Sequence, residues 1–321
     1  MSERKLAVWI PGFPAAQRRR VAEAAERNGF RAVFPETAAD AAREAADAEI
    51  LFTQDSGICR GAAAKWICTP SAGVDHFLRA GIPEKDGTVL TSSSGAYGVT
   101  IAEHVVMVTL EMMRRKAEYN DAVRERRWVR DLHIDSIRGS RITLLGTGDI
   151  GRECAKRFRA FGPVCLTGVN RQGRNPGELF DRIVTVDRLD TVLPETDLLV
   201  LSVPATAETQ GLMNGERLAL LPENARLVNV GRGSAVDEAA LEKMLRAGRL
   251  AGAALDVFTE EPLPAESPLW SCPRLLVTPH IAGNMTLDYT VERITDLFTE
   301  NLDAYTAGQP LRRAVDRKRA Y

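Results

Sequence analysis

The sequence predicts an α/β protein built from two doubly wound parallel sheets, and three observations lead there. Short β-branched or aliphatic runs alternate with helical stretches along the chain, which is the pattern of βαβ units. A single long helix candidate, Val99–Lys116, interrupts the alternation. The length, 321 residues at roughly 150 per domain, makes two domains, each able to bury its own core.

Lys5–Ile10 reads as the first strand, and Ala15–Asn28, closed by Gly29, as the helix after it. Arg31–Phe34, Glu49–Thr53, Lys65–Thr69 and Thr88–Ser92 complete a first unit of about five strands. In Val99–Lys116, Ile101, Val105, Val108 and Met112 form one apolar stripe, and Ala102, Val106, Thr109 and Met113 a second. Burial on both faces is therefore expected, either between two domains or at a subunit interface. Arg114–Asp131, with Trp128, reads as a solvated arm of mixed charge. The second unit opens at Ser140–Leu145 and continues through a helix at Arg152–Phe161. Its further strands are Val164–Val169, Asp197–Val203, Ala225–Val230, Ala251–Val257 and Arg274–Thr278. Leu287–Tyr305 reads as a last helix before a basic tail, Asp316–Tyr321.

Composition removes several classes of function. With 45% hydrophobic and 26% charged residues the chain is an ordinary globular one. Its 42 basic and 43 acidic side chains leave a net charge of −1, without the footprint of a nucleic-acid or anionic-membrane partner. The apolar run before Pro11 is too short for a signal peptide, and no segment reaches the roughly 18 apolar residues of a membrane span. A cytoplasmic protein is expected. Five cysteines without a C-x-x-C pair, and four histidines without H-E-x-x-H, suggest no protein-held metal.

The chemistry starts at Gly146-Thr-Gly148-Asp149-Ile150-Gly151, a G-x-G-x-x-G turn between a strand and a helix. Gly146 permits the turn, Gly148 lets backbone approach a pyrophosphate, and Gly151 lets helix and strand pack closely. An acid at the end of the next strand would hold the ribose hydroxyls of NAD(H). Asn170 stands there instead, followed by Arg171 and Arg174. Unless both arginines are merely solvated, a neutral amide with two guanidiniums favours NADP(H), with NAD(H) the alternative.

Three chemical groups follow strands of the second unit: Arg232 on a glycine-flanked turn, the carboxylates after Asp256, and His280. Each alone has a bland explanation as a surface or structural residue. Together they supply a cation for a carboxylate and carbonyl, a proton donor, and a group to orient that donor, as hydride transfer to a 2-oxo acid requires.

In this order, the glycine turn, Asn229–Ser234, Ala254–Pro264 and Thr278–Gly283 resemble the D-isomer-specific 2-hydroxyacid dehydrogenase family. Thr69–His76 and Thr100–His104 resemble its first-domain loop and interdomain helix. Within the family, Asn170–Arg174, Glu261–Trp270 and Val315–Tyr321 are most similar to NADPH-dependent glyoxylate/hydroxypyruvate reductases. The resemblance implies two Rossmann-like or flavodoxin-like domains with the active site in the interdomain cleft: 1–97 plus 286–321 for substrate, 98–285 for the dinucleotide. It also implies a homodimer formed in part by the long helix, and a small 2-oxo or 2-hydroxy acid as substrate.

By the same resemblance, Arg232 would hold the substrate carboxylate and reacting oxygen, His280 would give the proton, and Glu261 would hydrogen-bond His280. Asp256 would meet the nicotinamide carboxamide. Pro204, Val230, Gly231 and Gly283 would also touch the cofactor. Gly73 and Val74 would offer N–H groups to the substrate, and Asp75 reads as a helix N-cap. The stretch Thr91–Ser94 departs from the family, which often has Asn there, so no substrate contact is carried over. Two other functions stay open: an NAD-dependent dehydrogenase working oxidatively, and a nucleotide-sensing, corepressor-like binding protein.

Overall fold

The computed structural model describes residues 4–83 and 87–317, so the basic tail from residue 318 onward lies outside the described residues. The chain divides into two units, Met1–Ala96 with Asn284–Tyr321, and Tyr97–Gly283.

In the first unit the four central residues of β1 (Arg4–Trp9) are buried, as a strand covered on both faces requires. α1 (Ala15–Arg27) follows and stops where Gly29 turns left-handed, φ +73°. Next come β2 (Phe30–Val33), α2 (Ala38–Ala45), β3 (Ile50–Thr53), β4 (Trp66–Cys68), α3 (Asp75–Arg79) and β5 (Val89–Thr91). The Thr37 hydroxyl caps α2 by accepting the Asp40 N–H at 3.1 Å. The strands lie in the order β2-β1-β3-β4-β5 with parallel neighbours, and the order reverses at β1.

The second unit begins with α4 (Gly98–Met113) and α5 (Lys116–Arg124). Its sheet elements follow as β6 (Arg141–Leu145), α6 (Asp149–Arg159), β7 (Cys165–Asn170), β8 (Arg182–Thr185), β9 (Leu198–Leu201), α7 (Gly215–Ala219), β10 (Arg226–Asn229), α8 (Glu238–Arg246), β11 (Gly252–Leu255) and β12 (Leu275–Val277). The order is β12-β11-β10-β9-β6-β7-β8, again with parallel neighbours. The chain switches sides between β6 and β9, so the glycine turn after β6 stands at the switch point, where such sheets bind ligands. α9 (Asp288–Thr306) then returns to the first unit, where Phe298 stacks on Phe52 at 4.2 Å and Trp66 at 5.2 Å.

The structure departs from the expectations at several points. The long helix does not reach Lys116: it ends at Met113, and Arg115 turns left-handed with φ 50°. The apolar stripe stops at Met113 and three cations follow, which suit a helix C-terminus better than its continuation. Part of the arm of mixed charge is helix α5, its start tied by an Arg115–Glu118 ion pair at 2.9 Å. α4 packs on α6, β10 and β11 with Ile101, Ala102, Val105, Val108, Thr109 and Met113 buried, while Met107, which lies on neither stripe, is 51% exposed. Strand β8 was not anticipated. Asp75 is not the cap of α3 but its first residue, after Val74, and its carboxylate pairs with Arg79 at 2.9 Å. Among the described residues no helix is long and apolar enough to cross a membrane.

Candidate active site

The glycine turn is built as its spacing requires. Gly146 has φ +105°, and a Cβ there would come within 2.9 Å of Ser202 Oγ. At Gly151 a Cβ would lie 2.0 Å from the Gly146 carbonyl oxygen, so only glycine lets α6 start this close to β6. At Gly148, the residue before α6, a Cβ would meet nothing within 4 Å. Asp149 and Ile150 open the helix, whose first N–H groups lack helical partners. The open space at Gly148, beside the amino end of an 11-residue helix, fits a dinucleotide pyrophosphate.

Asn170 ends β7, as expected, and its amide organises the next loop. Nδ2 donates to Thr147 Oγ1 and to the Arg174 carbonyl, both at 2.9 Å, and Oδ1 accepts the Gln172 N–H at 2.9 Å. Arg171 and Arg174 are exposed, and Arg171 Nη1 lies 3.5 Å from Glu208 Oε2, a residue the sequence did not single out. Pro204 is exposed after β9, and Val230 is buried after β10. Gly231 brings the two loops together: a Cβ there would be 2.7 Å from the Val203 carbonyl oxygen.

Arg232 follows directly, half-buried, with Nη1 donating to the Gly231 carbonyl at 2.8 Å. Its turn is pressed on the loop after β11, because a Cβ on Gly233 would fall 1.9 Å from the Phe258 carbonyl carbon. In that loop Glu261 Oε1 accepts the Phe258 N–H at 2.8 Å, and Oε2 stands 2.7 Å from His280 Nδ1. A carboxylate only accepts, so Nδ1 carries the proton in this bond and Nε2 is the other reactive position. His280 keeps half of its side-chain surface exposed.

Asp256 is buried directly after β11. Its Oδ1 accepts from Thr278 Oγ1 at 2.6 Å and Ile281 N–H at 2.9 Å, and its Oδ2 from Ala282 N–H at 2.9 Å. Its carbonyl accepts the His280 N–H at 2.8 Å. Gly283 follows, so close to α4 that a Cβ would lie 2.7 Å from Ile101 Cγ1. Thr278 and its neighbour His104, with Nε2 3.4 Å from Thr278 Oγ1, were missed as site residues; only the polar Thr-Pro-His start of the loop could have signalled Thr278. Arg232, Glu261, Asp256 and His280 thus lie in one unit, whereas Gly73 and Val74 precede α3 in the other.

A glycine turn at the switch point of a parallel sheet, with Arg232 and a Glu261–His280 pair beyond the carboxyl ends of strands of that sheet, defines an NAD(P)-dependent oxidoreductase. Residues 106–282 match the family model described as "D-isomer specific 2-hydroxyacid dehydrogenase, NAD binding domain". The chain belongs to the D-isomer-specific 2-hydroxyacid dehydrogenase family.

A glyoxylate reductase from Thermofilum pendens is 36% identical over 252 residues, covering 76% of this chain and 73% of its own. A family member from Aeromonas salmonicida superposes with a TM-score of 0.87 at 31% identity, covering 98% of this chain and all of its own. An NADPH-dependent glyoxylate/hydroxypyruvate reductase from Sinorhizobium meliloti, solved with NADP and sulfate, superposes with a TM-score of 0.84 at 26% identity. That match covers 99% of this chain and 100% of the other.

Proposed function

We propose that the protein reduces a small 2-oxo acid of the glyoxylate or hydroxypyruvate type to the D-2-hydroxy acid, using NADP(H) in preference to NAD(H). The observation that carries this reading is the 2.7 Å contact of His280 Nδ1 with Glu261 Oε2, at the same end of the sheet as the glycine turn. The nicotinamide cofactor, when bound, supplies the hydride. Gly146, Gly148 and Gly151, with the start of α6, hold its pyrophosphate.

Arg232 pairs with the substrate carboxylate and draws electron density onto the carbonyl oxygen. With the Nδ1 proton committed to Glu261, the protonated ring of His280 gives its Nε2 proton to that oxygen as the hydride reaches the carbon. Glu261 balances the ring's charge before transfer and fixes its plane. Asn170 leaves no carboxylate at the strand end to repel a 2′-phosphate, and Arg171 and Arg174 grip it. The NADP and the substrates named for the relatives support both choices.

We also propose a homodimer that covers α4 and the arm beyond it, where Val123, Trp128 and Ile134 are exposed. A monomer in sedimentation at micromolar concentration would remove that part. For the reaction, the test is a panel of glyoxylate, hydroxypyruvate, pyruvate, phenylpyruvate and branched 2-oxo acids, each with NADPH and NADH. The highest kcat/KM is expected for glyoxylate or hydroxypyruvate with NADPH, and no cofactor oxidation with any pair would sink the reading.

A further inference from the structure

His104, on α4, has no part in the chemistry above, yet it reaches the loop that carries His280. It is half-buried, and burial pushes its imidazole below the ordinary histidine value while the charge of Asp256 pulls the other way. Burial thus favours the neutral ring, which carries a single N–H. The hydroxyl of Thr278 also has a single proton, and at 2.6 Å from Asp256 Oδ1 that proton goes to the carboxylate, which can only accept. What Thr278 turns toward His104 Nε2, 3.4 Å away, is a lone pair, so the proton of His104 belongs on Nε2. A directed chain results: His104 N–H to Thr278, Thr278 O–H to Asp256.

The chain ends on the backbone around His280. Asp256 takes the N–H groups of Ile281 and Ala282 on its carboxylate and that of His280 on its carbonyl. His280 itself has φ +55°, a left-handed conformation that is unfavourable for a non-glycine residue and persists only when its surroundings hold it. α4 touches this loop at both ends, through His104 at Thr278 and through Ile101 at Gly283.

We propose that His104 is a positioning residue for the reaction, which through Thr278 and Asp256 holds the loop 278–282 in the one conformation that sets His280 against Glu261. The inference rests on the reading of His280 as proton donor. It predicts that the N–H at His104, rather than its bulk, matters for the rate of proton delivery.

The test compares His104→Leu, His104→Gln, Thr278→Val and Thr278→Ser in the full-length enzyme with NADPH and the best 2-oxo acid, alongside His280→Ala. His104→Leu and Thr278→Val are expected to lower kcat about tenfold, as a displaced catalytic group does. KM for the oxo acid and Kd for NADPH should stay within about twofold, and the solvent deuterium effect on kcat should rise as proton transfer becomes limiting. His104→Gln, which keeps an N–H near Nε2, and Thr278→Ser, which keeps the hydroxyl, should recover most of the rate.

Wild-type kcat in either His104→Leu or Thr278→Val would overturn the proposal. So would equal losses in His104→Gln and His104→Leu, or a loss with an unchanged solvent isotope effect. If His104→Leu does not fold, the Thr278 pair decides by the same criteria. Wild-type turnover in His280→Ala would instead remove the proton-donor reading itself, and an inactive His280→Ala beside a normal His104→Leu would remove only the positioning role.

Discussion

Glu261 divides its carboxylate between two donors: Oε2 faces His280 Nδ1 at 2.7 Å while Oε1 accepts the Phe258 N–H at 2.8 Å. An amide cannot do both, because whichever way Gln turns, its NH2 meets one of the two N–H groups. Glu261→Gln is therefore expected to lower kcat by about 100-fold, within the range general acid–base catalysis contributes. NADPH affinity, measured by fluorescence titration, should be unchanged. A variant with wild-type kcat would show that Glu261 does not orient the donor.

Cofactor choice should respond to charge at the end of β7. Arg171→Ala with Arg174→Ala should raise KM for NADPH at least tenfold and leave KM for NADH within about twofold, since a bidentate guanidinium–phosphate contact is worth 1.5–3 kcal/mol or so. Glu208→Gln should act oppositely and more weakly. Its pair with Arg171, at 3.5 Å between exposed side chains, is worth about 1 kcal/mol or less, so up to roughly fivefold tighter NADPH is expected. Parallel changes for both nucleotides would show that neither arginine reads the 2′-phosphate.

Two glycines of one turn should fail differently. A methyl at Gly151 strikes the Gly146 carbonyl at 2.0 Å, so Gly151→Ala should lower stability by about 3 kcal/mol, read from the urea midpoint. At Gly148 a methyl meets open space within 4 Å. Gly148→Ala should fold with a normal midpoint and bind NADPH at least tenfold more weakly, because the methyl would stand where the proposed site brings the pyrophosphate close.

Acid should loosen the first unit through Glu49. Its carboxyl is held down at about 2, first by the Arg4 hydrogen bonds at 2.9 and 3.1 Å, against the cost of burial, and further by Tyr305. A depressed folded-state value means stability fully present above about pH 4.5 and lost as pH falls toward 2. Glu49→Gln should unfold at lower temperature at pH 7, and its midpoint should fall less than the wild type's between pH 4.5 and 2. Parallel curves would contradict the assignment.

The sheets were legible in the sequence because strands covered on both faces read as near-continuous apolar runs. β8 escaped because it is an edge strand in which Ile183 and Val184 lie between Arg182 and Thr185. The end of α4 escaped because no Gly or Pro marks it; a left-handed Arg115 does. Arg232, His280 and a carboxylate after Asp256 could be singled out because each follows a strand, where ligand-binding residues of such sheets gather, and the family resemblance then chose Glu261. The long-range contacts around the site could not. Thr278 meets His104 across 174 positions and Arg171 meets Glu208 across 37, and no local pattern encodes separations of that size.

The most direct test of the account is NADPH oxidation, followed by absorbance with glyoxylate and hydroxypyruvate, by the wild type and by His280→Ala at matched NADPH saturation. The wild type should turn over, and His280→Ala should lose at least about 100-fold in kcat while its Kd for NADPH stays within about twofold. A wild type that oxidises no NADPH with either acid, or a His280→Ala variant as fast as the wild type, would contradict it.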